Sequence, residues 1–327
     1  MALLRSILRW QAQSIERKRH IDSNGLISAQ DKNAAMTSEI PNGLVAGTRT
    51  LLHAPRTALC SCIRAYIARS TMDVPLMSES QRHNHYPSAS ICTITWYLQG
   101  QGQQVRLGDK EVDIPFPGRV VLRGPQTVPS VSYNPGKVDM FMLVLLPEAL
   151  HALTGVDIAA HTDCSAAFDQ VFDTEWQAMA REVMEAPDHS RRIALIEAFF
   201  EPRWLAARSR NGLRANWLQD YMQGMAVRII ASEWTRSVRQ LERWAKTWSG
   251  LSLQRLRKMR KAEHHFLATR DAIGSGTASW ADVAADSGYA DQAHFCRETR
   301  KATGLAPKEF KHRVMHEESY WVYRIWS

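Results

Sequence analysis

The chain has 327 residues, 45% hydrophobic and 23% charged, with a formal net charge of +8. At about 100–200 residues per domain, this length and these globular proportions suit two domains with sizeable cores. No stretch approaches the roughly 20 apolar residues of a transmembrane helix. The opening MALLRSILRW has charge on both sides of a broken apolar run and no small-residue cleavage site, so neither membrane span nor signal peptide is expected.

Residues 1–45 are polar and mixed, and ERKRHIDSNGLISAQDKN supplies charges and turn formers without a lasting period. A disordered extension is expected there; a gene-model extension upstream of the true start is an equal reading. From Leu51 to Leu146 the chain reads as β structure. SICTITWYLQG is β-branched and aromatic and ends on Gly100, the pattern of a strand and its turn. QQVRLGDKEVDI reads as two strands around Gly108-Asp109, and the following strands are cut by Gly-Pro, Asn-Pro-Gly and Pro147. Short strands divided in this way predict a small β-barrel or jelly roll. After Pro147 the pattern becomes helical: PEALHALTGV opens with Pro and Glu in its first turn. TEWQAMAREVMEA and SRRIALIEAFFEPRWLAARS repeat apolar residues at threes and fours, Ile193, Ile196, Phe199 and Phe200 among them.

The excess charge is local. Ser237–Val314 hold 15 Lys and Arg against 8 Asp and Glu, leaving the rest of the chain near neutrality. A domain-sized basic block suits a polyanion, although a merely solvated basic face has the same composition. Within it, SWADVAADSGYADQAHFCRETRKATG has the grammar of a helix-turn-helix. Ser279 caps a helix with Asp282 three residues on, Val283 and Ala284 are its buried side, and Gly288 stops it. Asp291 caps a second helix in which Phe295, Thr299 and Ala302 share one face, while Gln292, Ala293, Arg297 and Arg300 lie away from it. SVRQLERWAKTWSG repeats the pattern less clearly: Ser237 caps, Leu241 and Trp244 turn inward, and Gly250 stops the helix. Between the two units, Leu251, Leu256, Met259, Ala262 and Phe266 form the buried stripe of a helix able to hold two readers about 34 Å apart.

On WADVAADSGYADQAHFCRETRKATGLAPKEFK and SVRQLERWAKTWSGLS, residues 213–314 resemble the DNA-binding domain of the AraC/XylS family of bacterial transcription regulators. The resemblance implies an all-α double helix-turn-helix fold that reads two adjacent major-groove segments of double-stranded DNA. Carried onto this chain, the groove-facing positions fall on Arg239, Glu242 and Arg243, and on Gln292, Ala293, His294 and Arg297. Arg suits guanine and Gln suits adenine through paired hydrogen bonds. Ser237, Lys246, Arg300 and Lys301 suit phosphates, which position a protein without specifying sequence. The family often has Phe where this chain has Ala245, Thr299 and Ala302, so these helix cores are less filled.

Residues 51–210 are similar to the cupin-like sensing domain joined to many regulators of that family. The expected organisation is therefore α+β and multidomain: an extension over 1–45, a sensor and dimerisation barrel with trailing helices over 46–210, and the DNA-binding domain over 211–327. The function this implies is a cytoplasmic, sequence-specific regulator controlled by a small-molecule effector, with a homodimer and RNA polymerase as further partners. Trp96, Tyr97, Arg123, Gln126 and Tyr133 are the expected linings of an effector pocket. Two alternatives stand beside it: a metal-dependent cupin-type enzyme fused to a DNA reader, and a regulator whose barrel only oligomerises. His83 and His85 in RHNHY are spaced for a cupin metal, but no Glu follows in PSASICTITW, and Asp163-Cys164 lacks a basic partner that would make a nucleophile. Neither metal, cofactor nor catalysis is therefore expected. Cys60, Cys62, Cys92, Cys164 and Cys296 contain no C-x-x-C pair and are read as free thiols of a reducing cytosol, with redox sensing or metal capture at Cys60/Cys62 as the alternative.

Overall fold

The computed structural model describes residues 45–210 and 291–325. The expected extension lies almost wholly outside them, as do the first helix-turn-helix unit and the first helix of the second. Among the described residues, ten strands form two antiparallel sheets: β1 (Arg49–His53), β2 (Ile63–Ser70), β3 (His83–Tyr86), β4 (Cys92–Gln99), β5 (Gln103–Leu107), β6 (Lys110–Pro115), β7 (Val120–Arg123), β8 (Ser130–Tyr133), β9 (Asp139–Leu145) and β10 (Ser165–Ala167). The larger sheet has the order β1-β2-β9-β4-β7-β10 and the smaller the order β3-β8-β5-β6.

Of the barrel and jelly-roll forms, the two-sheet one is what the chain builds, and the corner residues explain why. Pro87 separates β3 from β4, Pro117-Gly118 separates β6 from β7, Gly124-Pro125 separates β7 from β8, and Pro135-Gly136 separates β8 from β9. At each of these corners the chain crosses from one sheet to the other. Proline has no N–H to extend a ladder, so the hydrogen bonding stops and the strand direction resets. The Gly108-Asp109 hairpin joins β5 to β6 with Leu107 paired to Lys110. Gly108 has φ +58°, the left-handed backbone that the first position of such a loop favours.

Side chains alternate across a strand, and β9 is buried on both faces. Phe141, Leu143 and Leu145 join Ile94, Trp96 and Leu122 in one core, which is covered by helices. Met140, Met142 and Val144 join Tyr97 and Val121 in a second core, against which Tyr86 and Phe116 pack. The covering helices follow β9: α1 (Pro147–Thr154), α2 (Phe168–Val171), α3 (Thr174–Glu185) and α4 (His189–Arg210). Pro147 opens α1, and Gly155 ends it at φ +73°. Asp173 caps α3 by accepting the backbone N–H groups of Glu175 at 3.0 Å and Trp176 at 3.1 Å. Trp176 meets Phe199 and Phe200 of α4 edge-on, both at 5.1 Å between ring centroids. The short strand β10 interrupts the helical region and pairs with β7. Its sequence, Ser-Ala-Ala, has none of the β-branched residues that signal a strand.

The C-terminal part comprises α5 (Gln292–Thr303), α6 (Pro307–His316), a 3-10 turn (Glu318–Tyr320) and α7 (Trp321–Arg324). Phe310 and Val314 of α6 pack with Tyr320 and Tyr323. Trp321 and Val322 belong to the second core of the sandwich.

Candidate functional site

The second helix of the helix-turn-helix grammar is α5. Asp291 stands before it in extended backbone, and its carboxylate accepts the His294 backbone N–H at 2.6 Å. This satisfies one of the unpaired donors of the first turn and fixes where the helix begins. Phe295, Thr299 and Ala302 are buried, and the Thr299 hydroxyl donates back to the Phe295 carbonyl at 3.0 Å. A threonine thus fills the dry face without leaving its hydroxyl unpaired. Gly304, at φ +81°, ends the helix with its N–H on the Arg300 carbonyl at 2.8 Å. Gln292, Ala293, Arg297, Arg300 and Lys301 are exposed, and His294 is half-buried. Lys301 pairs with Glu298 at 2.7 Å, a surface contact of small energy. The other DNA-contact candidates, Ser237, Arg239, Glu242, Arg243 and Lys246, lie outside the described residues.

Three of the five expected pocket residues come together between the sheets. Arg123 Nη2 donates to Gln126 Oε1 at 3.3 Å and to Ser130 Oγ at 3.2 Å. Its guanidinium carbon stands 5.2 Å from the Tyr86 ring centroid and 5.4 Å from that of Phe116, and Tyr97 stacks on Phe116 at 6.2 Å. The Arg123 Nε is buried without a hydrogen-bond partner, and no carboxylate among the described residues forms an ion pair with it. Burial pushes its pKa down, because the charged form is the one that loses water. The corner carrying Arg123 is held from outside. Asp163, at φ +59°, accepts the Thr127 backbone N–H at 2.6 Å and the Thr127 hydroxyl. A Cβ on Gly124 would collide with the His161 carbonyl.

Trp96 and Tyr133 do not join this cluster. Trp96 points into the helix-covered core, where its Nε1 donates to the Ala180 carbonyl at 3.0 Å. It neighbours Tyr97 in sequence, so the strand period sends it to the opposite face. Tyr133 pairs across β3 with His83, at 5.0 Å between rings. His83 Nδ1 is 3.0 Å from the Glu79 carbonyl, and His85 stacks flat on Tyr320 at 4.3 Å. Burial, helped by Arg106, His83 and Arg313, lowers the His85 pKa to about 3, so its ring is neutral near pH 7. Among the described residues no three His, Cys, Asp or Glu side chains are grouped to hold a metal ion. The five cysteines are free thiols, and burial raises the pKa values of Cys60 and Cys62, which works against thiolate reactivity.

No curated protein matches the chain. Among solved structures, unsaturated-fatty-acid-bound ToxT from Vibrio cholerae is 12% identical over 70% of this chain and 93% of its own, with a TM-score of 0.33. A 1.65 Å structure of ToxT from the same organism is 10% identical over 81% of this chain and 98% of its own, with a TM-score of 0.37. Residues 230–313 match the helix-turn-helix domain family. These residues form an AraC-type helix-turn-helix domain.

The matched AraC-type domain takes in all of α5 and ends within α6, before the segment Glu317–Ile325. That segment holds the functional candidates that sequence reasoning missed. Arg69 and Glu318, 2% and 3% exposed, form an ion pair at 2.7 Å, and the Arg69 guanidinium carbon lies 4.5 Å from the Trp321 ring centroid. Trp321 Nε1 donates to Asn84 Oδ1 at 2.7 Å. A signal was present in ESYWVYRIW, whose aromatic density past the last reader helix exceeds what a short helical end can bury by itself.

Proposed function

We propose that the chain is a sequence-specific, DNA-binding transcriptional regulator whose two-sheet domain takes a small-molecule effector. The observation that carries the first half is α5: a capped helix inside the AraC-type domain, seated on Phe295 and exposing Gln292, Ala293 and Arg297. Arg297 and Gln292 suit base edges, with Ala293 and His294 beside them, while Arg300 and Lys301 suit the backbone. Arg239, Glu242 and Arg243, with Ser237 and Lys246 on phosphates, complete the reading as the first unit's contribution. The effector half is favoured by Arg123, whose partly unpartnered cation stands among Tyr86, Tyr97, Phe116 and Gln126. A homodimer, contact with RNA polymerase and a cytoplasmic location belong to the same reading. No helix among the described residues is long and apolar enough to cross a membrane.

Selection of bound duplexes from random DNA by the full chain tests the proposal. The selected duplex should bind well above random sequence, and its affinity should fall by about 10³–10⁵ between 50 and 200 mM salt if roughly 6–10 phosphates are contacted. Equal affinity for random duplexes at every salt concentration would replace this reading with a nonspecific architectural one. Arg297→Ala should weaken the selected site by about 1–3 kcal/mol and relax preference at one base pair. Lys301→Ala should weaken all sequences alike and reduce the salt slope by about one. If shift titrations on selected and scrambled duplexes cannot separate the two variants, the division into base readers and phosphate anchors fails.

A further inference from the structure

Part of the space between the two sheets is filled by the chain's own segment Glu317–Ile325. Trp321 and Val322 lie in the same core as Tyr97, Met140 and Met142, and both are buried. The polar fit is as specific as the apolar one. The indole N–H of Trp321 meets Asn84, while the Glu318 carboxylate accepts Arg69 Nη2 at 2.7 Å, Arg324 Nη2 at 3.2 Å and the Val45 backbone N–H at 3.3 Å. The segment lies beyond the matched AraC-type domain, so reading DNA does not account for it. It is also wired to the reader: α6 packs on Tyr320 and Tyr323, and the Ser88 backbone N–H on the sandwich donates to the Ala302 carbonyl of α5 at 3.0 Å.

We propose that residues 317–325 are the sandwich's built-in ligand, and that an effector enters by displacing Trp321 and Glu318 and so unseats α5 from the sandwich. The displacement sets the effector's chemistry. Withdrawing Glu318 would leave Arg69 a buried cation without its carboxylate, so the incoming molecule must bring an anionic group. Withdrawing Trp321 opens space in the core that holds Met140 and Met142 and against which Tyr86 and Phe116 pack, which suits a flat apolar body. Arg123, stacked over Tyr86 and Phe116 of the same walls, adds a second cation on that side. Because tail and effector would occupy one space, the effector's differential affinity for the tail-out state is what shifts the populations. The inference rests on the effector reading for its regulatory meaning, but the plug itself stands on contacts independent of that reading.

The test uses the full chain and 1-anilinonaphthalene-8-sulfonate, an anionic aromatic probe. Trp321→Ala and Glu318→Gln should each bind it at least fivefold more tightly than the native chain, with near-UV circular dichroism retained. Adding Arg69→Met to either should abolish the gain, which a loosened core would not do. In the native chain, saturating probe should speed amide hydrogen exchange across residues 317–325, a readout that needs no variant to fold. Unchanged exchange there, or equal probe affinity in folded native and variant chains, would overturn the plug. Coupling to the reader is scored separately: affinity of Trp321→Ala for the selected duplex should differ at least fivefold from native. An unchanged duplex affinity overturns the link to α5. If probe and tail compete but no small-molecule extract alters DNA binding, the plug is upheld and the effector reading falls alone.

Discussion

Glu318→Ala should destabilise the chain by about 3–5 kcal/mol, because it removes the partner of a buried cation. Arg69 is 2% exposed, and beyond Glu318 it keeps the Thr50 hydroxyl at 3.0 Å and the face of Trp321. Neither supplies a countercharge. Burial already draws the Arg69 pKa down, and Glu318 is what opposes that shift. The sign of the pair's own contribution is a separate matter, since two charges lose water to form it. The double change Arg69→Met with Glu318→Leu should therefore recover most of the loss, because apolar residues of similar volume replace a buried pair at little net energy. Urea midpoints of the native chain and the two variants measure both effects, with an unchanged slope marking a change in stability alone. A loss under about 1 kcal/mol for Glu318→Ala would mean that water reaches Arg69 and that the tail is not seated as described.

Trp96→Ala should be the other severe substitution, at about 3–5 kcal/mol. Trp96 is fully buried against Phe141 at 6.0 Å and ties the larger sheet to α3 through the Ala180 carbonyl. Truncation opens a cavity and removes the indole hydrogen bond to that carbonyl, so transfer, packing and hydrogen-bond terms act in the same direction. The contrast with its neighbour is informative. Tyr97 faces the core between the sheets, so Tyr97→Phe should leave stability nearly unchanged while altering binding of the anionic aromatic probe in the tail-out variants. Thermal unfolding and probe titration on both variants separate the two faces. If Trp96→Ala instead spares stability and abolishes probe binding, Trp96 lines the pocket after all.

Much of α5 could be read directly from the chain because its determinants are local. A cap at Asp291, a dry face at threes and fours through Phe295, Thr299 and Ala302, and a left-handed stop at Gly304 each act within one or two turns. The Gly108-Asp109 hairpin and the apolar spacing of α3 were legible for the same reason, although the Asp173 cap was not read. Even the crossings between sheets were punctuated in sequence by Pro87, Pro117, Pro125 and Pro135, although the punctuation does not say which strands will pair. Trp96 and Tyr133 were misjudged as neighbours of Arg123 because composition marks an aromatic as a good wall without saying which face of which sheet it will join.

The sequence alone, then, determined most of the described elements, the helix α5 and the alternation of the strands, since propensity, caps and period act over a few residues. Only the tertiary structure decided what fills the space between the sheets. Arg69 and Glu318 are 249 positions apart, and Asn84 and Trp321 are 237 apart. Nothing within either neighbourhood specifies its partner. These contacts exist because an unpaired charge or indole N–H is costly away from water, and the folded chain brings each to the one group that satisfies it.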